Sequence, residues 1–374
     1  MISGRNVFRL GVKELWSLVR EPMMLVLIAW TFTVAIYVAA TAMPDSLHHA
    51  PIAIVDEDGS PLSARIVSSF YPPHFKMPSM VSLAEVDAGM DRGDYTFALD
   101  IPPNFQSDVL AGRTPAIQLN IDATRMGQAF TGNAYIQQIV TSEVNEFIER
   151  YRHSAVPPVD LALRMRFNPN LDQAWFGSLM EIINNVTMLS IILTGAALIR
   201  EREHGTIEHL LVMPVTPAEI MLAKVWSMGL VVLLAALVAL VFVVQGALRV
   251  PIQGSVALFM LAAALHLFAT TSMGIFLATL ARSMPQFGML LVLVLLPLQM
   301  LSGGSTPYES MPQLVQDIMQ VAPTTHFVSA GQAILYRGAG IDVVWPQLLA
   351  ILAIGGLLFI TSLSRFRRTI GQMA

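Results

Sequence analysis

A chain of 374 residues that is 54 % hydrophobic and 13 % charged, with a mean hydropathy of +0.60, is no ordinary soluble domain. Soluble domains sit near ~45–50 % apolar and ~25 % charged. The net charge of −4 says little about partners, although no nucleic acid is expected, and the lack of cysteine excludes disulfides and thiol chemistry.

Uncharged apolar runs of about 18 residues or more read as membrane spans. The pattern therefore predicts a polytopic α-helical membrane protein with six transmembrane helices and an inserted α+β domain. Residues 1–21 form an amphipathic helix lying at the membrane surface, with Phe8, Val12, Leu15 and Val19 at helical spacing. Residues 22–43 form the first span. A cleaved signal peptide is the rival for this run, but its apolar core exceeds the ~7–15 residues such peptides use. Residues 44–175 form the insert. The remaining spans are placed at 176–199, 220–246, 256–281, 285–303 and 342–364. Residues 304–341 are an extracytoplasmic re-entrant or short-helix segment, and 365–374 a basic cytoplasmic tail.

Arginine and lysine in short loops set the orientation. One side collects Arg5, Arg9, Lys13, Arg20, Arg200, Arg202, Lys224, Arg282, Arg365, Arg367 and Arg368. The short loops opposite hold Arg249 and Arg337. Both termini are thus cytoplasmic and the insert is extracytoplasmic. Within it, "PIAIVDEDGS" reads as a buried strand ending in a turn. "SLAEVDAGMDRG" opens a helix with a Ser82–Glu85 capping box. "YTFALDIP", "AIQLNIDA" and "VDLALRMRF" alternate as half-buried strands do, and a long helix covers "GQAFTGNAYIQQIVTSEVNEFIERY". About four strands are expected.

No P-loop is present: none of Lys13, Lys76 and Lys224 follows a glycine. The chain is therefore expected to bind no cofactor and to catalyse nothing itself. His48, His49 and His74 read as loop histidines, and Asp56 and Asp58 as an ordinary turn, so no metal site is expected.

The window 200–219 concentrates charge. Arg200, Glu201, Arg202, Glu203 and Glu208 follow the second span at the cytoplasmic surface. Gly205 breaks the helix, Thr206 caps a short one, and Pro214 stops it. Ile207, Leu210 and Leu211 share a face, with Glu208 and His209 pointing away. Thr216–Glu219 is a second capping box, with Pro217 at the first helical position. A rigid, acidic, cytoplasmic knob suggests docking to a protein.

"EREHGTIEHLLVMPVTPAEIMLAK" resembles the E-x-E-x-G-T-x-E-x-L-L-x-x-P-x segment of ABC-2 type exporter permeases. A second match lies at 301–335, where Pro307, Glu309, Met311, Pro312, Pro323, Thr325, Phe327 and Val328 fall on the family pattern. The sequence departs from it at "SGGSTP", where members often carry an aromatic-rich bend. The resemblance implies a non-catalytic permease subunit, paired with a second copy or a related permease, in the bacterial inner membrane. ATP and magnesium would be bound by a separate cytoplasmic cassette ATPase. It implies that Glu201, Glu203, Gly205, Thr206, Glu208, His209 and Leu211 form an ATPase-coupling contact. It further implies a periplasmic membrane-fusion adaptor and an outer-membrane channel, exporting a hydrophobic or amphipathic molecule.

Polar residues inside a membrane are functional candidates. Asn184 and Asn185 lie one helical turn beyond Glu181 in the second span, Gln299 follows Pro297 in the fifth, and His266 sits midway along the fourth. Glu181 is roughly 27 Å from the cytoplasmic end of its helix at 1.5 Å per residue, near the far interface. Spans two and five face the pathway in the family, which favours Asn184, Asn185 and Gln299 over His266. The alternative function is an ion-coupled secondary transporter. It would place charge near the midplane or repeat its halves, and neither feature is visible in the sequence.

Overall fold

Among the described residues, six helices are long and apolar enough to cross a membrane: Pro22–Thr41, Trp175–Glu203, Pro217–Ala247, Val256–Leu280, Met284–Leu301 and Ile341–Arg368. They are the first to sixth spans below. The structure, a computed structural model, describes residues 2–41, 49–122, 126–152, 173–205, 214–306 and 308–371. The chain divides into a membrane unit, Met1–Met43 with Met165–Ala374, and an inserted unit, Pro44–Arg164.

In the membrane unit, helix α1 (Gly4–Val19) precedes the first span. It buries Gly11, Glu14 and Leu18 against the protein, while Phe8, Trp16 and Val19 stay exposed. Of the expected stripe, Phe8 and Val19 are thus exposed while Val12 and Leu15 are half-buried, and a carboxylate points into the protein. Among the spans, the second is the most enclosed. It meets the fourth where side chains are smallest: a Cβ on Gly274 would lie 2.6 Å from the Ile191 carbonyl oxygen. Small residues let helix backbones approach in a bilayer, where lipid removes the hydrophobic drive. Hydroxyls seal the same seam. Ser190 Oγ donates to Thr270 Oγ1 at 2.6 Å, and Thr194 Oγ1 returns to the Ser190 carbonyl at 2.7 Å.

Two stretches are π-helical, Thr31–Ala35 in the first span and Ala239–Ala247 at the end of the third, and they touch each other. Nothing in the apolar pattern signals them, because both periods bury similar side chains. After the fifth span come a 3-10 turn at Tyr308–Ser310 and two short helices, Gln313–Met319 and Pro323–Leu335.

The inserted unit is a four-stranded sheet of β1 (Ile52–Asp56), β2 (Ser79–Met80), β3 (Phe97–Ile101) and β4 (Gln118–Ile121) in the order β2-β1-β3-β4. β1 runs parallel to β2 and β3, and β3 pairs antiparallel with β4. On one face Ile52, Ile54, Phe97, Leu99 and Ile101 join a large core that includes Phe70, Phe75, Ile136 and Phe147. The other face is small: Ala53, Val55 and Ala98 pack with Val86 of the helix Leu83–Asp91. β3 was expected to be half-buried, yet Phe97, Ala98 and Leu99 are all buried. The small-residue face admits that helix, and parallel strands are commonly covered on both sides. β2 is two residues long and carries no alternation to read. The predicted strand "VDLALRMRF" lies outside the described residues. Asp56 closes the turn after β1, with its Oδ1 accepting from the Gly59 amide at 3.0 Å and its Oδ2 from Ser63 Oγ at 2.9 Å. The long helix Met126–Arg152 completes the unit, and Arg65 binds Glu143 across it at 2.8 Å.

Candidate functional site

The second span ends by winding its own charges back into the membrane unit. Glu201 is expected from the sequence at the cytoplasmic surface, yet it is 9 % exposed. Lys13 of α1 bonds one of its oxygens, and Lys224 Nζ lies 2.7 Å from the other. Lys224 Nζ is also 3.1 Å from Glu14, and Lys13 Nζ 3.2 Å from the same Glu14 oxygen. Two lysines and two glutamates thus form one neutral cluster. Its members Lys224 and Glu14 are 1 % and 5 % exposed. Burial alone would lower the Lys13 pKa, but Glu201 and Glu14 beside it outweigh burial and raise it above the usual lysine value.

The next two residues hold other spans. The Arg202 guanidinium donates to the carbonyls of Ala278 and Ala281, which end the fourth span. Those carbonyls have no partner within their own helix, and a cation suits that end of the helix dipole. Glu203 Oε1 accepts from the Met284 amide at 2.9 Å, at the start of the fifth span, where an anion suits the opposite pole. Arg200 meets Glu21 at the start of the first span. Gly205 takes φ +68°, the left-handed conformation that ends helices and that glycine adopts without strain. Four consecutive charged residues therefore tie the end of the second span to α1 and to four other spans.

The far flank of the window is held as firmly. Thr216 Oγ1 accepts from the Glu219 amide at 3.3 Å, and Glu219 Oε2 accepts from the Thr216 amide at 2.6 Å. The other Glu219 oxygen accepts from the Ser3 amide at 2.6 Å, ahead of α1. Two turns on, Trp226 Nε1 donates to the Val7 carbonyl at 3.1 Å, and its ring stacks on Phe8 at 5.8 Å. Gly11 lets that indole lie against α1, since a Cβ there would overlap the ring. Thr206, Glu208, His209 and Leu211 lie outside the described residues, and both ends of their segment are pinned.

The intramembrane candidates fall into different settings. Asn185 is 2 % exposed and its Nδ2 donates to the Thr31 carbonyl at 2.8 Å, inside the π-helical stretch of the first span. Asn184 and Gln299 are half-buried. His266 is fully enclosed, with Nε2 2.8 Å from Thr187 Oγ1. Its ring stacks on Phe327 at 4.1 Å, and Phe327 in turn stacks on Phe259 at 5.8 Å. His266 and the family residue Phe327 thus meet in one packed column. The rest of the motif after the fifth span shapes that segment. Met311 is buried, its carbonyl accepts from Gln316 Nε2 at 2.8 Å, and Pro323 opens the helix that carries Phe327. Pro312 precedes the helix Gln313–Met319, while Glu309 and Thr325 line a pocket of about 770 Å³ with Gln332 and Arg337. Pro307 lies outside the described residues.

Lys13, Glu14 and Trp226 escape a sequence reading that treats charge near span ends as solvated. A signal was available for Lys224. It lies seven residues after Pro217, roughly 10 Å into a helix at 1.5 Å per residue, and a charge at that depth needs a partner.

Residues 16–364 match the family described as ABC-2 family transporter protein. The chain belongs to the ABC-2 transporter family. It is 66 % identical over 370 residues to the inner membrane transport permease YhhJ of Escherichia coli K12, covering 99 % of each chain. It is also 27 % identical over 365 residues to the "Probable multidrug ABC transporter permease YbhR" of the same organism, covering 96 % of this chain and 97 % of that one. As an ABC-2 member the chain is a permease subunit of an ABC transporter. The pinned segment between the second and third spans of this ABC-2 permease occupies the position of the motif that first marked the resemblance.

Proposed function

We propose that this ABC-2 chain is the membrane-spanning half of an inner-membrane exporter powered by a separate cytoplasmic cassette ATPase. Thr206, Glu208, His209 and Leu211 form the surface that the ATPase grips. Gly205 provides the turn into it, and Glu201 and Glu203 carry its movement into the spans. The observation that carries this reading is the anchoring of both flanks of 206–213, by Glu201 through Glu203 on one side and by Thr216 through Trp226 on the other. A loop needed only to connect two spans gains nothing from such fixation. A lever that passes force must be stiff at its base.

The permease pairs with a second copy or a related subunit. ATP binding closes the ATPase dimer and shifts the spans between two access states. Asn184 and Gln299 line the pathway of a hydrophobic or amphipathic substrate, with Asn185 fixing the second span to the first beside them, in keeping with the multidrug description of the YbhR relative. The inserted unit meets a periplasmic adaptor that leads to an outer-membrane channel. Poisoning the ATP site of the partner ATPase, with the proton gradient intact, is expected to abolish export. Export that survived the poisoning and collapsed with the gradient would establish ion-coupled transport instead.

A further inference from the structure

From Ser178 to Ile199 every residue of the second span is buried except Glu181, Asn184, Met188 and Ile192. Steps of three and four residues put these on one face of the helix. Gly177 and Gly195 belong to the same face. A Cβ on Gly177 would lie 3.1 Å from the Ala39 carbonyl oxygen of the first span, and one on Gly195 would overlap the Phe287 ring of the fifth. The half-open stripe therefore runs along the cleft between those two spans. Gly304, just past the fifth span, lies against Met180. Between the Gly195–Phe287 and Met180–Gly304 contacts the antiparallel helices keep step at about 1.5 Å per residue, which brings Gln299 to the height of Asn184. The outer end of the stripe is thus polar, with Glu181, Asn184 and Gln299, and Met188 and Ile192 make its inner end apolar. The Asn185 amide that holds the Thr31 carbonyl also donates to the Glu181 carboxylate. Among the described residues no lysine, arginine or histidine pairs with Glu181.

We propose that Glu181 selects the charge of what the permease carries, and that the cargo is an organic cation on an apolar body. Glu181 faces the cationic group, and Met188 and Ile192 lie along the apolar part. A carboxylate among apolar side chains is costly unless it meets a counter-charge. The described residues supply none at this point, so the counter-charge arrives with the cargo. Two unit charges attract several times more strongly at such a site than in water. An anion is repelled there to the same extent, and an uncharged molecule of the same shape gains little. Asn184 and Gln299 add side-chain carbonyls that accept from N–H groups where the cation is an ammonium. This inference rests on the placement of the second and fifth spans along the pathway, and it narrows the cargo of that pathway to one charge class.

The test compares two compounds of similar shape, tetraphenylphosphonium, a lipophilic cation, and triphenylphosphine oxide, which is uncharged. The permease is assembled with its ATPase in proteoliposomes, and stimulation of ATP hydrolysis is followed against the concentration of each compound. The native complex is expected to respond to the phosphonium at lower concentration than to the oxide. In Glu181→Gln the half-maximal concentration for the phosphonium rises about tenfold relative to that for the oxide, the loss expected of one interaction with a charged group. Glu181→Asp, which keeps the charge, retains the preference. If Glu181→Gln does not reach the membrane, Asn184→Lys sets a counter-charge one turn from the carboxylate and is expected to abolish the preference likewise. A preference that survives in these variants, or a loss that is equal for both compounds, would overturn the inference and leave Glu181 as a structural residue. A native complex that responds to the oxide alone, or to neither compound, would also overturn it while leaving the exporter reading in place. Failure of the ATPase to associate with the permease would overturn the exporter reading itself, and this inference with it.

Discussion

Replacing Lys224 with methionine is expected to destabilise the membrane unit by about 3–5 kcal/mol, because breaking a buried ion pair strands the opposite charge. Lys224 is 1 % exposed and lies within 3.1 Å of Glu14 and 2.7 Å of Glu201. Methionine fills the same volume, so packing changes little and the loss is electrostatic. Lys13 and the nearby Arg200 would be left to balance two buried carboxylates without the buried cation that lies between them. Lys224→Met/Glu14→Met leaves the neutral Lys13–Glu201 pair, and exchanging a whole ion pair for apolar side chains is often neutral or stabilising. Thermal unfolding in detergent checks the contrast: a large fall for the single variant and recovery in the double one. If the single variant unfolds with the native protein, the cluster contributes no stability. If the double variant falls as far as the single, the loss is one of packing and not of charge balance.

In the inserted unit, Phe97→Ala is expected to cost about 3–5 kcal/mol, the range for emptying a fully buried aromatic site. Phe97 begins the central strand β3, meets Phe75 edge-on at 6.3 Å, and lies against Gly132 of the long helix. Domains of this size hold a net stability of about 5–15 kcal/mol, so one such loss takes a large share. Limited proteolysis of membranes is the measurement: the insert becomes sensitive while fragments of the membrane unit keep native resistance. Unchanged resistance of the insert would mean that the β1–β3 core does not hold this unit together.

The spans were legible because lipid imposes a length and an apolar composition that few other structures share. The start of the third span was legible for another reason. Thr216, Pro217 and Glu219 encode a cap within four residues, and the cap forms as written. The helix Leu83–Asp91 follows from Ser82 and Glu85 in the same way. What escaped depends on residues distant in sequence. Glu201 reads as a surface charge until Lys13 and Lys224, 188 residues upstream and 23 downstream, are brought to it. His266 reads as a possible pathway residue until Thr187 and Phe327 enclose it. The π-helical stretch whose Thr31 carbonyl accepts from Asn185 leaves no mark in an apolar run. β2 was missed because two residues cannot show a period.

The ABC-2 docking reading is tested most directly by one cysteine in a chain that has none. Glu208→Cys is introduced alone, a crosslinker is added to native membranes, and the adduct is identified by mass spectrometry. The account predicts one specific adduct, a cassette ATPase, that disappears when the cysteine is moved to Gln253 on the opposite side. A cysteine at position 208 that reacts with water-soluble reagents and yields no ATPase adduct would contradict it, and would leave the segment as a solvated connector.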